Sequence, residues 1–281
     1  MSLFEKKLKS VGRNLFYGLT PQQRFWIRRL IFFPEKILTK RPEMVPPKGM
    51  IFTGGGDFVA QGDKFLLYFV KIGMLKPHDH IIEIGCGIGR MARPLTGFLS
   101  EKGSYVGFDI VKSGIDWCQK HIGKRYPNFE FHHFPIENGL YSEGNTTQAK
   151  DFVFPFQNES FNFCIATSVF THMLPQDTSH YFEETSRVLK SGGHCFFTFF
   201  IIDEVSRHFM KKSEFNFKFM NDGVFYLDMN LKEGNVGYPL ELIYNFAETN
   251  GFSIIKHFPG QWSCRPDDTL DFQDILLLRK I

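Results

Sequence analysis

The ten residues from Ile81 to Arg90 have the sequence IIEIGCGIGR, and they decide the fold of this chain. The first four are mostly apolar and predict a buried strand, with the acidic residue Glu83 close to its end. Three glycines follow at two-residue spacing, and the next residues predict a helix over 90–100. In many α/β proteins, a strand that leads through a glycine turn into a helix binds the polar or anionic tail of a nucleotide-like ligand.

From residue 80 onward, strand and helix patterns alternate along the chain, which predicts βαβ units and a mainly parallel sheet. Two successive strands at the end of the chain predict an antiparallel hairpin at the sheet edge. The insertion over 203–238 has no clean period, and we expect it to lie over the sheet edge where ligands bind. The predicted strands are 80–84, 104–109, 129–133, 161–166, 194–201, 252–258 and 273–278. The predicted helices are 113–124, 178–190 (capped by Asp177 and stopped by Ser191-Gly192-Gly193) and 239–250, besides one that follows Asp57.

The composition is that of a globular protein, with 281 residues of which 43% are hydrophobic and 22% are charged. We expect most of the 34 phenylalanines in the core and a minority in an apolar pocket. Five scattered cysteines without C-x-x-C spacing argue against a disulfide framework, a zinc site and an iron–sulfur cluster. With neither a signal-peptide pattern nor a long apolar run, the sequence predicts a cytoplasmic protein.

Residues 1–50 are predicted to form a basic, amphipathic helical extension and a proline-containing linker. They contain 11 Lys and Arg against 3 Asp and Glu, a net charge of +8, whereas the remainder has 22 against 27, a net charge of −5. Apolar residues at 4, 8, 11 and 15 predict one helix, and a capping box at Thr20 and Gln23 begins a second that stops before Pro34. Three interpretations stay open: residues 1–40 lie on an anionic membrane surface, cover an active site, or pack on the body.

The residues before and after the three glycines indicate which class of ligand the turn binds. A dinucleotide fingerprint requires G-x-G-x-x-G, but Arg90 occupies the position of its third glycine. The carboxylate of Glu83 suits a ligand amino group and would repel a pyrophosphate. Asp109 ends the next predicted strand, 20 residues after Gly89, at the distance where a carboxylate accepts hydrogen bonds from ribose hydroxyls.

The pattern E-x-G-x-G-x-G resembles motif I of the class I S-adenosylmethionine-dependent methyltransferases. The segment RVLKSGG at 187–193 and the approach to the fourth strand at 154–162 are similar to the same family, so that the resemblance covers about residues 60–281. It implies a Rossmann-like seven-stranded, mostly parallel sheet with an antiparallel last strand and helices on both faces. The helical N-terminal extension precedes this methyltransferase domain of residues 51–281.

The resemblance also implies S-adenosylmethionine as the cofactor. Many members hold the adenine amino group with an Asp after strand three, where this chain has Pro135. We expect backbone groups and Ile136 to hold adenine here, with Asn138 as a polar substitute. The residues that the resemblance assigns to cofactor binding are Glu83, Gly85, Cys86, Gly87, Gly89, Arg90, Asp109, Ile110, Ile136, Thr167 and Ser168.

Methyl transfer needs an aligned nucleophile, exclusion of water and, for a hydroxyl or protonated amine, a base. His172, just beyond strand four, is the predicted base because its pKa is near neutral; His132 and His133 are weaker candidates. The segment 165–172 has neither the D/N-P-P-Y/F tetrapeptide of amino-methylating enzymes nor a carboxylate for magnesium, so no metal is predicted. Tyr238, Trp262 and Arg265, on expected upper loops, are predicted to bind the acceptor. Asp57, on the glycine turn before the helix that follows it, is assigned to the same side of the site, from where a lid would reach the methionine end of the cofactor.

These patterns predict an S-adenosylmethionine-dependent methyltransferase that acts on a small or medium-sized acceptor at oxygen. An alternative is a peripheral membrane enzyme that methylates a quinone, lipid or lipid-linked sugar. Two further alternatives are a binding module without turnover and a dinucleotide oxidoreductase. Nucleic acid is not expected as a partner, because the body of the chain lacks a basic cluster. The oligomeric state stays open.

Overall fold

A seven-stranded sheet forms the centre of the computed structural model, which describes residues 19–52, 54–266 and 268–281. Its strand order is β10-β11-β5-β4-β1-β2-β3, and β11 runs antiparallel to both of its neighbours while the other pairs are parallel. This confirms the predicted sheet with an antiparallel last strand. The strands are β1 (His80–Ile84), β2 (Ser104–Asp109), β3 (Phe129–His133), β4 (Phe161–Ala166), β5 (Leu189–Phe199), β6 (Ile201–Ile202), β7 (Phe219–Asn221), β8 (Val224–Tyr226), β9 (Val236–Pro239), β10 (Phe252–Phe258) and β11 (Asp274–Lys280).

Helices cover both faces of this sheet, because successive strand residues point to opposite sides. On one face, Ile82 and Ile84 of β1 share a buried cluster with residues of α6 and α8. On the other face, Ile81 shares a cluster with residues of α3, α4 and α5. The helices are α1 (Pro21–Ile31), α2 (Phe33–Leu38), α3 (Phe58–Lys71), α4 (Ala92–Leu95), α5 (Lys112–Cys118), α6 (Pro175–Val188), α7 (Glu204–Phe209) and α8 (Leu240–Thr249).

Three helices have bounds that differ from the prediction. The helix expected over 90–100 is limited to the four residues of α4, and the one over 113–124 ends at Cys118 in a π-type turn, Gln119–Gly123. Helix α6 begins earlier than expected because Pro175 occupies its first turn. Asp177 therefore lies inside the helix, where its carboxylate accepts from the N–H of Leu174 at 3.3 Å. The residues expected to stop this helix instead belong to β5.

Residues 201–239 build a second, four-stranded sheet in the order β6-β9-β8-β7, which the sequence analysis missed. Strand β6 is only two residues long and pairs in parallel with β9, while β8 pairs antiparallel with both β7 and β9. A small cluster of apolar residues supports it, namely Phe200, Ile202, Met210, Phe217, Phe225 and Trp262. The strands are too short to show a clear period of two in the sequence.

The N-terminal helices are fixed to the body at one edge. Thr20 and Gln23 form the predicted capping box of α1. Arg28 donates a hydrogen bond to the carbonyl of Ile51, and the ring of Phe25 meets that of Phe52 edge to face at 5.4 Å. The predicted helix through residues 4–15 lies outside the described residues. Among the helices that the structure describes, none is both long and apolar enough to cross a bilayer.

Candidate active site

A cavity of about 770 Å³ opens where the parallel strands end, within the range of small-molecule sites. Residues after β1, β2, β3 and β4 line it, together with the last residues of β5. Because β11 runs antiparallel, the residue before its first position, Gln273, reaches the same edge and also lines the cavity. The topology therefore brings segments that are far apart in sequence to one site.

The glycine turn after β1 forms part of the cavity wall. Gly85 and Cys86 line the cavity, and Gly85 has a φ of 67°. A Cβ atom at Gly85 would lie 2.5 Å from Cγ2 of Val169, so the turn can only pass here without a side chain. Gly87 and Gly89 do not line the cavity, and their contribution is to the backbone conformation of the turn.

Asp109, at the end of β2, lies in the cavity wall with both carboxylate oxygens held in place. One oxygen accepts from the N–H of Gly87 at 2.7 Å and the other from the N–H of Val111 at 2.8 Å. Burial raises the pKa of Asp109 to about 6, although the hydrogen bonds from the backbone oppose this shift. The neighbouring Ile110 also lines the cavity, and His133 donates from Nε2 to its carbonyl at 3.2 Å.

Glu83 is almost completely buried, with 1% of its surface exposed, yet it borders the cavity. The hydroxyl of Tyr105 donates a hydrogen bond to its carboxyl group. Burial raises the pKa of Glu83 to about 8, and the charge of Asp109 adds to this effect. A buried carboxyl group with a raised pKa next to a cavity favours a bound cation, which would stabilise its ionised form.

Arg90 joins the glycine turn to the loop before α3. Its guanidinium donates to the carbonyls of Gly54 and Gly55 at 3.3 and 3.4 Å, and it lies 5.5 Å from the ring centre of Phe58. Arg90 lines the cavity, but Asp57 does not. The carboxylate of Asp57 caps α3 by accepting from the N–H of Ala60 at 2.8 Å, which corrects its predicted place in the acceptor pocket.

The segment after β3 forms the side of the cavity predicted to hold adenine. Ile136 is buried and lines the cavity, whereas Pro135 is exposed and lies outside the lining. The side chain of Asn138 is occupied by the protein itself: its Oδ1 accepts from the N–H groups of Leu140 and Tyr141 at 3.1 Å, and its Nδ2 donates to the carbonyl of His172 at 3.2 Å. These contacts do not favour Asn138 as a polar substitute for the missing Asp.

Thr167 and Ser168 follow β4 and line the cavity as the sequence led us to expect. Ser168 has a φ of 57°, and its N–H donates to the hydroxyl of Thr198 at 2.8 Å. The hydroxyls of Ser168 and Thr198 both donate to Oε1 of Gln273, at 2.9 and 2.7 Å. This triad links the ends of β4, β5 and β11 across the cavity wall.

His172 lines the cavity in a defined protonation pattern. Its Nδ1–H donates to the carbonyl of Glu233 at 2.9 Å, so Nε2 carries the lone pair of the neutral ring. Burial lowers the pKa of His172, which keeps the ring neutral near pH 7. Glu233 itself accepts from the N–H of Gly139 at 2.7 Å, and thereby ties the second sheet to the segment after β3. His172 can therefore accept a proton from a bound hydroxyl.

Three of the predicted acceptor-binding residues have structural positions instead. The hydroxyl of Tyr238 is fully buried and donates to the carbonyl of Met173 at 2.6 Å. The indole of Trp262 donates to Oδ2 of Asp274 at 2.6 Å, and Arg265 forms an ion pair with Asp203 at 3.0 Å. None of these three side chains is in the cavity lining, so the structure corrects their predicted role.

An aromatic wall, whose members the sequence did not single out, also lines the cavity. It consists of Phe52, Phe65, Tyr68, Tyr141, Phe200, Phe215 and Phe272. Lys64 of α3 forms an ion pair with Asp271 at 2.7 Å, and Tyr68 donates to the carbonyl of Leu270 at 3.0 Å. These two contacts connect α3 to the segment before β11, whose residues 270–273 also line the cavity. In the described ranges, no group of three or more His, Cys, Asp or Glu side chains is arranged as a metal site.

Comparison with known proteins shows that part of the chain is similar to methyltransferases. A family profile described as a methyltransferase domain matches residues 82–197. A Mycobacterium leprae protein named phthiotriol/phenolphthiotriol dimycocerosates methyltransferase is 34% identical over 114 residues, 41% of this chain and 35% of its own length. The matched segment thus spans about a third of the curated relatives' length.

Two solved structures have the same fold over most of the chain. A Pyrococcus horikoshii protein matches 83% of this chain and 95% of its own, with a TM-score of 0.55 and 14% identity. An S-adenosylmethionine-dependent methyltransferase from Mesorhizobium loti matches 78% of this chain and 100% of its own, with a TM-score of 0.52 and 15% identity. At these identities, the likeness establishes the fold.

Proposed function

We propose that this chain is a class I S-adenosylmethionine-dependent methyltransferase, in keeping with the methyltransferase-domain profile that matches residues 82–197, and that it transfers a methyl group to an oxygen atom of a small or medium-sized acceptor. The family's cofactor is S-adenosylmethionine. The observation that carries the proposal is the pair of buried carboxyl groups, Glu83 and Asp109, on either side of the glycine turn in the cavity wall. The transfer is a direct displacement that needs no metal.

The residues in the cavity fit the proposed cofactor. The carboxylate oxygens of Asp109 accept hydrogen bonds from the backbone N–H groups of Gly87 and Val111 and keep acceptor capacity for ribose hydroxyls. Glu83 would bind the ammonium group, because a cation removes the cost of ionising a buried carboxyl group. The backbone of Gly85 borders the cavity, and Ile136 offers an apolar surface for adenine.

The chain's own part in the reaction is to orient the acceptor, exclude water and accept a proton. The cofactor supplies a methyl carbon on a positively charged sulfonium. His172 Nε2, left as the acceptor nitrogen by the hydrogen bond from Nδ1 to Glu233, would accept the proton of the acceptor hydroxyl. The aromatic wall would enclose an apolar acceptor body and keep water away from the reacting atoms.

Methylation at oxygen is supported by two observations. His172 stays neutral near pH 7 and so provides a base suited to a hydroxyl. The Mycobacterium leprae relative is named for a triol, and a triol offers hydroxyl groups as acceptors. The alternative of a peripheral membrane enzyme with a quinone, lipid or lipid-linked sugar acceptor is favoured by the exposed apolar face of α1 and α2.

Two measurements test the proposed function. Isothermal titration should detect binding of S-adenosylhomocysteine and no binding of NAD or NADP. Purified protein with labelled S-adenosylmethionine should then transfer the label to at least one member of a panel of quinols, phenols, glycolipids and sugars. Absence of S-adenosylhomocysteine binding would refute the proposal, whereas binding without transfer to any of these acceptors would favour a binding module.

Replacing His172 with Ala should leave S-adenosylhomocysteine binding unchanged and lower kcat by about a hundredfold to ten-thousandfold, because the proton acceptor is lost. In the wild type, the acid limb of the kcat profile should lie below the ordinary histidine pKa, since burial lowers the pKa of His172. His132→Ala is the matched control, because its half-exposed ring lies outside the cavity lining. Equal kcat values for His172→Ala and wild type would remove the assignment of the base.

A further inference from the structure

The outer face of α1 and α2 exposes six large apolar side chains. Between half and four-fifths of the surface of each is accessible: Trp26 64%, Leu30 68%, Ile31 65%, Phe33 54%, Ile37 66% and Leu38 81%. Single exposed apolar residues are common on protein surfaces, but a group of six within residues 26–38 marks a site that binds another apolar surface. We call residues 21–38 the docking face.

Positive charge accompanies the docking face. Between residues 20 and 41 the chain has six Lys and Arg against a single acidic residue, Glu35. Glu35 is held within the protein, because it accepts from the N–H of Lys48 at 3.2 Å and pairs with Arg41 at 3.6 Å. Arg29 and Lys40 are exposed beside the apolar side chains. An apolar, aromatic helix face with flanking basic residues is typical of helices that lie in the surface of an anionic bilayer.

The docking face is joined directly to the wall of the cavity. Phe25 of α1 contacts Phe52, which lines the cavity and has its ring centre 6.5 Å from that of Tyr141, another lining residue. A Cβ atom at Gly49 would lie 3.1 Å from Cα of Arg29, so α1 rests closely on the segment that leads to Phe52. The helix pair therefore lies beside the cavity, next to its aromatic part.

We propose that the docking face binds the surface of an anionic lipid bilayer, so that the cavity takes an acceptor with an apolar body from the membrane. This inference rests on the proposed function for the nature of the cavity, but the docking itself depends on α1 and α2 alone. The distribution of charge favours an anionic bilayer as the partner. The anionic headgroups would attract the basic side chains, and the hydrocarbon layer beneath them would take up the apolar face. The aromatic wall, which lies beside the docking face, would pack against the apolar body of such an acceptor.

Co-sedimentation of the full chain with vesicles tests the proposal. We expect binding to vesicles of equal parts phosphatidylglycerol and phosphatidylcholine, and much weaker binding to phosphatidylcholine alone. The triple variant Trp26→Ser, Leu30→Ser, Ile37→Ser should reduce the apparent affinity by more than about tenfold, because three large side chains no longer enter the bilayer. Arg29→Glu with Lys40→Glu should remove the preference for the anionic vesicles.

A matched control separates docking from general apolar exposure. Val153, Met220 and Ile255 are also exposed, at 62%, 66% and 42%, but lie on other parts of the surface. Their replacement with Ser should leave vesicle binding unchanged. S-adenosylhomocysteine binding, measured by titration without vesicles, should be the same in all variants, so loss of docking and loss of the proposed function are distinguished.

Two results would overturn the proposal. The first is equal sedimentation of wild type and the Trp26→Ser, Leu30→Ser, Ile37→Ser variant with anionic vesicles. The second is a dimer of the wild type in sedimentation velocity that this variant dissolves, with no binding to either vesicle, because a second copy of the chain would then cover the docking face.

Discussion

Asp109→Ala should weaken S-adenosylhomocysteine binding by at least about a hundredfold, with the structure of the rest of the domain retained. The wild-type carboxylate is positioned to accept from two ribose hydroxyls, and each charge-assisted hydrogen bond contributes about 1.5–3 kcal/mol. The same substitution also removes the acceptors for the N–H groups of Gly87 and Val111, so the turn itself loses its support. Isothermal titration measures the change in Kd.

The control for Asp109→Ala is Asp116→Ala on α5. Asp116 is exposed and pairs with Lys112 along the same helix, at 2.6 Å, so its loss should leave the Kd unchanged. Near-ultraviolet circular dichroism reports whether both variants keep their packed core. An Asp109→Ala protein that is folded and binds S-adenosylhomocysteine as tightly as the wild type would contradict the assignment of the ribose site.

Glu83→Gln should weaken S-adenosylhomocysteine binding by about tenfold to a hundredfold above pH 8, and should abolish the pH dependence of the Kd that arises from this side chain. In the free protein, burial raises the pKa of Glu83 to about 8, so the carboxyl group holds a proton at neutral pH. An ammonium group bound beside it favours the ionised form. Binding therefore releases a proton, and the wild-type Kd should decrease as the pH rises towards 8.

Titration in buffers with different ionisation enthalpies measures this proton release, which Glu83→Gln should remove. Gln is the right substitution because it resembles the protonated acid and can still accept from the hydroxyl of Tyr105. Glu130→Gln is the control, since Glu130 is exposed on β3 and lies outside the cavity lining. A wild-type Kd that stays constant between about pH 6 and pH 8 would contradict the proposed ammonium contact.

The raised pKa of Glu83 also makes the stability of the ligand-free protein depend on pH, in the opposite direction to ligand binding. Stability decreases as the pH rises, whereas binding becomes tighter. The folded-state pKa of about 8 lies above the ordinary value of 4.5, so the folded protein holds a proton that the unfolded chain releases. The stability that this bound proton contributes is fully present below the ordinary pKa of 4.5, and it is lost as the pH rises through about 8. Glu83→Gln should therefore melt at a higher temperature than the wild type at pH 8 and above. Opposite trends in binding and melting identify Glu83 as a residue kept for a ligand.

The central sheet was predictable because its signals are local. The first four strands were predicted with their observed bounds from local sequence patterns, and Glu83 and Asp109 follow from their places at the ends of β1 and β2. The second sheet was not, because its strands have two to four residues and are paired only through contacts between distant segments. The insertion carries Glu233, whose carbonyl orients His172, and no sequence pattern links these two residues.

The residues predicted to bind the acceptor do not line the cavity, and the reason is a different one. Tyr238 and Trp262 are amphipathic side chains, and the sequence does not show whether their polar atoms face a cavity or a buried partner. The buried carboxylate of Asp274 decides this for Trp262, because it also accepts from the N–H groups of Ile201 and Gly260 and holds that corner of the fold together. Gln273 could have been predicted from the direction of β11. Because β11 is antiparallel to β5, its N-terminal end lies at the edge of the sheet where the cavity opens.

The contact between Phe25 and Phe52 would couple the proposed docking to vesicles with the proposed binding of the cofactor, since Phe52 contacts α1 and also lines the cavity. Cofactor binding and vesicle docking form a closed thermodynamic cycle. Whatever factor docking applies to the cofactor Kd, cofactor binding must apply the same factor to the vesicle Kd. A measurement of vesicle affinity with and without S-adenosylhomocysteine therefore reports how strongly the membrane surface and the methyl-donor site communicate, without knowledge of the acceptor.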